Sequence, residues 1–176
     1  MPRKNVFLIG LNDADLARLK SIRNADRYAF HGVLDPAEVL ETYDFPVEDM
    51  LGRAEEEMRR WEADTGRTID GIGAYLDFPV STMLPLLCDR LDKRGPKLEN
   101  LLKCEHKYWS RLVQKEVIPQ HIPRFQAFDP FDDGAFARID LELPFWIKPI
   151  KACGAMLGFY IENREQFGQA ILQIRR

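Results

Sequence analysis

An α/β fold with a parallel sheet, followed by a smaller α+β part, is predicted by three features of the sequence. The first is a continuous apolar run, Val6-Phe7-Leu8-Ile9-Gly10-Leu11, that stops at Asn12-Asp13, as expected of a strand buried on both faces of a parallel sheet. The second is the alternation of strand-like runs with segments of helical period over residues 1–95. The third is Leu143 to Ile161, LPFWIKPIKACGAMLGFYI, which reads as a strand carrying a lysine, a turn of small residues and a second strand.

After the first strand, Asp13 to Arg23 carries Leu16 and Leu19 and predicts a helix capped by Asp or Asn. Tyr28 to Leu34, closed by Asp35-Pro36, is the second strand and completes a β-α-β opening. From Phe45, a proline at a helix start precedes Val47, Leu51, Ala54, Met58 and Trp61, an apolar stripe at helical spacing that Gly66 stops. The Glu and Arg residues between them read as a solvated face. Ile69 to Leu76 is a third strand. Val80, Met83, Leu84, Leu87 and Leu91 then repeat at helical spacing, and Pro85 among them predicts a later start or a bend.

Ligands of such sheets sit beyond the carboxyl ends of the strands, which nominates Asn12, Asp13, Asp35 and Asp77. Each is equally suited to a cap or a turn.

Beyond Gly95-Pro96, Lys97 to Val117 places Leu101, Cys104, Tyr108 and Leu112 on one stripe of a helix. Lys103, Lys107, Arg111 and Lys115, each four residues from the last, form a neighbouring cationic stripe. Arg124 to Phe128 reads as a short strand and Asp129 to Gly134 as a turn-rich loop. In the lysine strand, alternation puts Phe145, Ile147 and Pro149 on one side and Trp146, Lys148 and Ile150 on the other. Lys148 either snorkels to water or is aimed at an anion. The loop after it lacks bulky β-branched side chains, so its N–H groups are free to approach a phosphate closely. Asn163 with Gln166 predicts a reciprocal cap for a last helix buried through Phe167, Ala170, Ile171 and Ile174.

Composition narrows the partners. With 45% hydrophobic and 30% charged residues, the chain has the balance of a soluble globular protein. A net charge of −3 provides no basic field for nucleic acid or anionic membrane, and no apolar run approaches a membrane span. Cys88, Cys104 and Cys153 are odd in number and far apart, against a disulfide framework or zinc site and in keeping with a reducing cytoplasm. The run Val6 to Leu11 is too short for a signal-peptide core. His31, His106 and His121 lie on different elements, with no Ser or Cys in a nucleophile-elbow context.

In order, the small α/β domain, GPKLENLLKCEHKYWSRL, the proline-marked PRFQAF, the lysine strand PFWIKPIK, the small-residue loop and LGFYI closely resemble the first part of ATP-grasp proteins, over essentially the whole chain. The resemblance implies a Rossmann-like pre-ATP-grasp domain with a parallel sheet at residues 1–95. It implies a small lid-type α+β subdomain at 96–176, with the large subdomain absent. ATP is the implied cofactor. Its phosphates fall to Lys107, on the helix before the lid, to Lys148, on a lid strand, and to the loop Gly154-Ala155-Met156-Leu157-Gly158. Compact ammonium groups and free backbone donors suit phosphate charge. The loop is poorer in glycine and serine than is usual in the family, and Met156-Leu157 makes it more apolar.

The large subdomain of such proteins reads adenine and supplies the ligands for Mg²⁺ and an arginine for the acyl phosphate, so Mg²⁺ is expected only with that part, and no catalytic or metal-binding residue is assigned here. The implied function is the ATP-binding portion of an ATP-grasp carboxylate ligase working through an acyl phosphate, incomplete for catalysis alone. Its partners are then a nucleotide, a carboxylate substrate and a complementary large subdomain. The alternative is a non-catalytic module that binds a ligand or partner, and pairs as a homodimer through apolar area the large subdomain would have covered. A dinucleotide-binding oxidoreductase domain would need GxGxxG after the first strand, and Gly10-Leu11-Asn12-Asp13-Ala14-Asp15 does not supply it.

Overall fold

Alternation along the first strand, β1 (Lys4–Ile9), sends Asn5, Phe7 and Ile9 to a buried face, while Val6 and Leu8 are only half covered. The expectation of a strand buried on both faces therefore holds for one face only. The computed structural model describes residues 2–40, 46–152 and 154–176. It divides into two compact units, Met1–Leu101 and Leu102–Arg176. Phe45 and Cys153 lie outside the described residues.

In the first unit, β1 leads to α1 (Asp13–Lys20), capped by Asn12, whose side chain accepts the Asp15 N–H at 2.8 Å. The helix is shorter than its apolar signal and contributes no buried residue. The chain continues through β2 (Tyr28–Val33), α2 (Pro36–Leu40), α3 (Val47–Thr65), β3 (Gly71–Ala74) and α4 (Val80–Arg90). β1 lies between β2 and β3 and is parallel to both, with Phe7 opposite His31 on one side and Ile72 on the other.

Helices α3 and α4 supply the core that covers Phe7 and Ile9, through Met50, Leu51, Ala54, Met58, Val80, Met83 and Leu87. Of the apolar stripe of α3, Leu51, Ala54 and Met58 are buried and Trp61 packs against the core, while Val47 is exposed. The charged residues of the helix pair along the surface, Arg59 with Glu55 and Arg60 with Glu56. Gly66 closes α3 at φ 62°, its N–H donating to the Glu62 carbonyl at 3.0 Å, a left-handed turn that glycine adopts without strain. Pro85 neither delays nor ends α4. It is fully buried within the helix, and burial of its ring offsets the backbone hydrogen bond that its nitrogen cannot donate.

The buried polar residue of this unit is fully partnered. Asn5 donates its backbone N–H to Asp70 at 2.8 Å and its amide to the Thr68 carbonyl at 3.1 Å, while its Oδ1 lies 3.3 Å from His31 Nε2. His31 in turn stacks on Phe7 at 4.6 Å and meets Trp61 at 4.8 Å. This small network fastens β1 to β2 and to the turn before β3.

The second unit takes in α6 (Lys107–Val117) after α5 (Leu98–Glu105), then a single turn α7 (Ala135–Arg138), an antiparallel pair β4 (Phe145–Ile147) and β5 (Phe159–Ile161), and α8 (Arg164–Ile174). Its core is Ala135, Ile147, Ile161, Phe167, Ala170 and Ile171, joined by Phe128, Phe136, Phe145 and Phe159. The faces of β4 divide as the sequence predicts: Ile147 is buried and Trp146 is 60% exposed. The α8 cap differs slightly from a reciprocal box. Asn163 accepts the Gln166 N–H at 3.0 Å, but Gln166 Oε1 accepts from Glu162 N–H at 2.7 Å, one residue before the cap.

Residues 124–128 do not form the expected strand. Gln126 substitutes for a ladder: its amide donates to the Arg138 carbonyl at 2.8 Å and its Oε1 accepts the Asp140 N–H at 2.7 Å. Arg124 adds a bond to the Asp140 carbonyl at 2.6 Å. Side chains with both donor and acceptor ends do locally what two strand backbones would do.

Two outcomes test this account. Met58→Ala, which empties a fully buried position under the sheet, is expected to lower unfolding free energy by about 2–5 kcal/mol in urea denaturation. Burial, and then the charge of Arg67, hold His31 below its ordinary pKa of 6.5. The stability owed to its neutral ring is therefore complete above the unfolded value and is lost as pH falls through the lowered folded one. The urea midpoint is expected to drop between about pH 7.5 and about pH 5 by more in the native sequence than in His31→Gln.

Candidate functional site

The cationic stripe of the sequence is interrupted by a break between two helices. Residues 97–117 form α5 and α6 rather than one helix, with His106 between them at φ −79° and ψ 103°. Two interactions make the break. The His106 Nδ1 accepts the Trp109 N–H at 3.2 Å, with its ring stacked on Trp109 at 4.3 Å. The Lys107 N–H, which a continuous helix would give to Lys103, donates instead to the Ile150 carbonyl at 3.1 Å. Lys103 therefore belongs to α5, and Lys107, Arg111 and Lys115 to α6. Histidine is not among the favoured caps, so the sequence carried no usual signal for this junction.

Lys107 is exposed, and its Nζ donates to the Ala152 carbonyl at 2.8 Å. Beside it, Lys151 Nζ lies 3.4 Å from Glu105 Oε2. The segment 150–152 is thus tied to the α5–α6 junction at three points. Lys148 stands just past the end of β4, exposed, with Nζ 5.5 Å from the centre of the Trp146 ring. Tyr160 on β5 lies against the same indole at 5.2 Å. The outer face of the strand pair is an aromatic surface with an ammonium at its edge.

The loop opens with Gly154 at φ 60°, continues through Ala155 at φ 60° and Leu157 at φ 51°, and closes with a Gly158 N–H to Ala155 carbonyl bond of 3.0 Å. Gly154 suits this left-handed turn, whereas Ala155 and Leu157 adopt it under strain. Met156 is 64% exposed. Of the residues nominated in this half of the chain, Lys107 is bonded to the short segment that separates Lys148 from the loop.

The residues nominated in the first unit are occupied as caps and turns. Asn12 caps α1, and Asp35 Oδ1 accepts the Ala37 N–H at 2.9 Å. The Asp77 carbonyl accepts from Val80 at 3.0 Å. Asn12, Asp13 and Asp35 also line a cleft of about 370 Å³ at the carboxyl ends of β1 and β2, together with Glu38 and Glu57. Partial desolvation, and then the charge of Glu38, push the Glu57 carboxyl up. Glu57 was hidden in the charge run of α3, which gave no sign that one carboxylate turns toward this cleft.

Other carboxylates have local duties: Asp140 accepts from Arg124 at 3.1 Å, and Glu162 from the Gln166 amide at 3.3 Å. Among the described residues, no group of three or more His, Cys, Asp or Glu is arranged to hold a metal ion. No helix among them is long and apolar enough to cross a membrane.

No family model matches the chain, and no curated protein sequence matches it. Its structure is similar to that of an L-amino acid ligase from Bacillus licheniformis, with a TM-score of 0.61 and 15% sequence identity, over 99% of this chain and 43% of that one. The likeness is one of fold: a mixed α/β chain with a three-stranded parallel sheet and a small antiparallel pair. The chain spans less than half the length of that ligase.

The junction itself is open to test. His106→Ala removes the α6 cap and the ring under Trp109, and is expected to cost about 1 kcal/mol of stability in urea denaturation, with a change in Trp109 emission.

Proposed function

We propose that the second unit binds the phosphates of ATP, as the lid portion of an ATP-grasp carboxylate ligase. Lys107, Lys148 and the backbone of Gly154, Ala155, Met156 and Gly158 are its phosphate contacts. The observation that carries this reading is the bond from Lys107 Nζ to Ala152, which joins one proposed phosphate contact to the root of the loop that supplies the backbone contacts. Fold similarity to a ligase supports it at the level of architecture. Ammonium groups act on polyphosphate as compact point charges, and loop N–H groups add directed donors.

In a complete ligase of this type, ATP phosphorylates a carboxylate and the acyl group passes to an amine or another nucleophile. The proposed share of this chain is to hold nucleotide and to present part of the carboxylate-facing surface. Mg²⁺ accompanies the nucleotide in this reading.

A second reading, a non-catalytic module that pairs with a partner or a second copy, draws support from the exposed apolar side chains Trp146, Tyr160 and Met156. ATP affinity separates the two. Weak, Mg²⁺-linked binding is expected in calorimetry, and Lys148→Ala is expected to weaken it by at least about tenfold, or about 1.4 kcal/mol. Absence of ATP binding in the native sequence would refute the ligase reading, and a dimer in sedimentation equilibrium would then favour the second.

A further inference from the structure

The cationic stripe of α6 is only partly engaged by the rest of the chain. Lys107 is bonded to Ala152, and Arg111 donates to Gln114 at 2.7 Å. Lys115, about two turns beyond Lys107, is exposed, and among the described residues no hydrogen bond or ion pair engages its ammonium. It stands on the wall of a cleft of about 260 Å³. That cleft follows from the way α6 ends. Pro119 has no N–H to give the Lys115 carbonyl, so the helix closes one residue earlier, with the Ile118 N–H on the Gln114 carbonyl at 2.7 Å. A turn at Pro119–His121 sends the chain back along the helix, where Phe125 meets Tyr108 edge-on at 5.6 Å. Both ends of the Gln126 amide are bonded to Arg138 and Asp140, which holds the returning segment beside residues 140–141. The walls are thus fixed by bonds that a ligand has no need to break.

The lining is mixed in character. Pro119, Ile122, Phe125 and Leu141 make its apolar part, and Lys115, Arg124 and Asp140 carry its charge. Arg124 commits Nη2 to Asp140, to the carbonyl at 2.6 Å and to Oδ2 at 3.1 Å, and the rest of its fork is left for another acceptor. Two cations against one carboxylate leave a positive excess here, in a chain whose net charge is −3.

We infer that this cleft binds a small organic monoanion, a carboxylate on an apolar body, with Lys115 as its counter-ion and Arg124 as a second donor. The site shares no residue with the proposed phosphate contacts. A single positive excess matches one carboxylate, whose two oxygens suit the parallel donors of a guanidinium. The apolar walls cover the body of such a ligand, as they do in most small-molecule sites. Lys115 also has a plainer role open to it, because a cation in the last turn of a helix offsets the negative end of its dipole. The two roles differ in what the lysine does for a ligand.

The experiment titrates the full chain, labelled at its isoleucine methyl groups, with three probes. Hexanoate has both head and body, acetate has the head without the body, and hexylammonium has the body with the opposite charge. The Ile122 methyl resonance, assigned through Ile122→Val, reports the cleft. Hexanoate is expected to shift it saturably, with about millimolar affinity, and the other two at least about tenfold more weakly. Lys115→Gln is expected to weaken hexanoate about three- to fivefold, the factor an exposed ion pair supplies, and Lys115→Arg to restore most of it. Hexanoate binding by Lys115→Gln that equals the native value overturns the proposal and leaves Lys115 as a cation of the helix end. Equal binding of hexylammonium overturns it by showing an apolar crevice without charge selection, and equal binding of acetate by showing a cation without a pocket. Failure of hexanoate to move Ile122 overturns it outright. The three probes decide the matter in the native chain, whatever the stability of the variants.

Discussion

The second unit depends on the diversion of one backbone hydrogen bond. An amide at position 107 that stayed within its helix would bond to residue 103, and residues 97–117 would run as a single rod. By donating to Ile150 instead, at 3.1 Å, Lys107 ends α5, begins α6 and brings the connection after β4 against the junction. His106 makes the diversion affordable, because its ring satisfies the Trp109 amide that the broken helix would otherwise orphan. The location of the Lys107 ammonium follows from this and from no property of the lysine itself. The first residue of α6 points its side chain back along the helix toward its start, and the start is where Ala152 waits.

The first unit solves a comparable problem at the opposite end of a strand. A parallel sheet of three strands must anchor its central member where the chain enters, and Asn5 does so with both backbone and side-chain amides directed to residues 68–70. Lys4 lies 2.8 Å from Asp70, and this bond with the Asn5 N–H holds the Asp70 carboxyl below the usual carboxylate range. The aromatic faces of Phe7 and Trp61 then enclose His31, whose neutral ring is the form that burial favours. Polar groups are concentrated at the entry of the sheet, while the carboxyl ends of its strands are left open as an acidic cleft.

Most of this architecture was legible because it follows from periodicity. The stripe from Leu51 to Trp61, the apolar run of β1 and the alternation across Trp146 and Ile147 each encode an element through burial, the stop at Gly66 encodes one through a left-handed backbone, and each formed. The failures share a different cause. The helix break at His106 and the missing strand at 124–128 are decided by partners distant in sequence: Ile150 for Lys107, Arg138 and Asp140 for Gln126. No local pattern announces a bond of that kind. Pro85 errs in the other direction. A local rule argues against it inside α4, and burial outweighs the rule.

The choice of lysine at position 107 follows from the same geometry. An arginine there would meet a carbonyl with a planar fork, and the fork that suits a backbone oxygen plus a neighbour is a fixed arrangement. An ammonium has three donors around a single atom and a stem that rotates freely. It reaches the Ala152 carbonyl at 2.8 Å with one donor and keeps the others available to solvent, without any change in the helix that carries it. The backbone amide of the same residue meanwhile holds Ile150 at 3.1 Å, so the junction and the segment after β4 meet through main chain as well as side chain. Two ties thus come from one residue, the first set by main chain and the second by side chain.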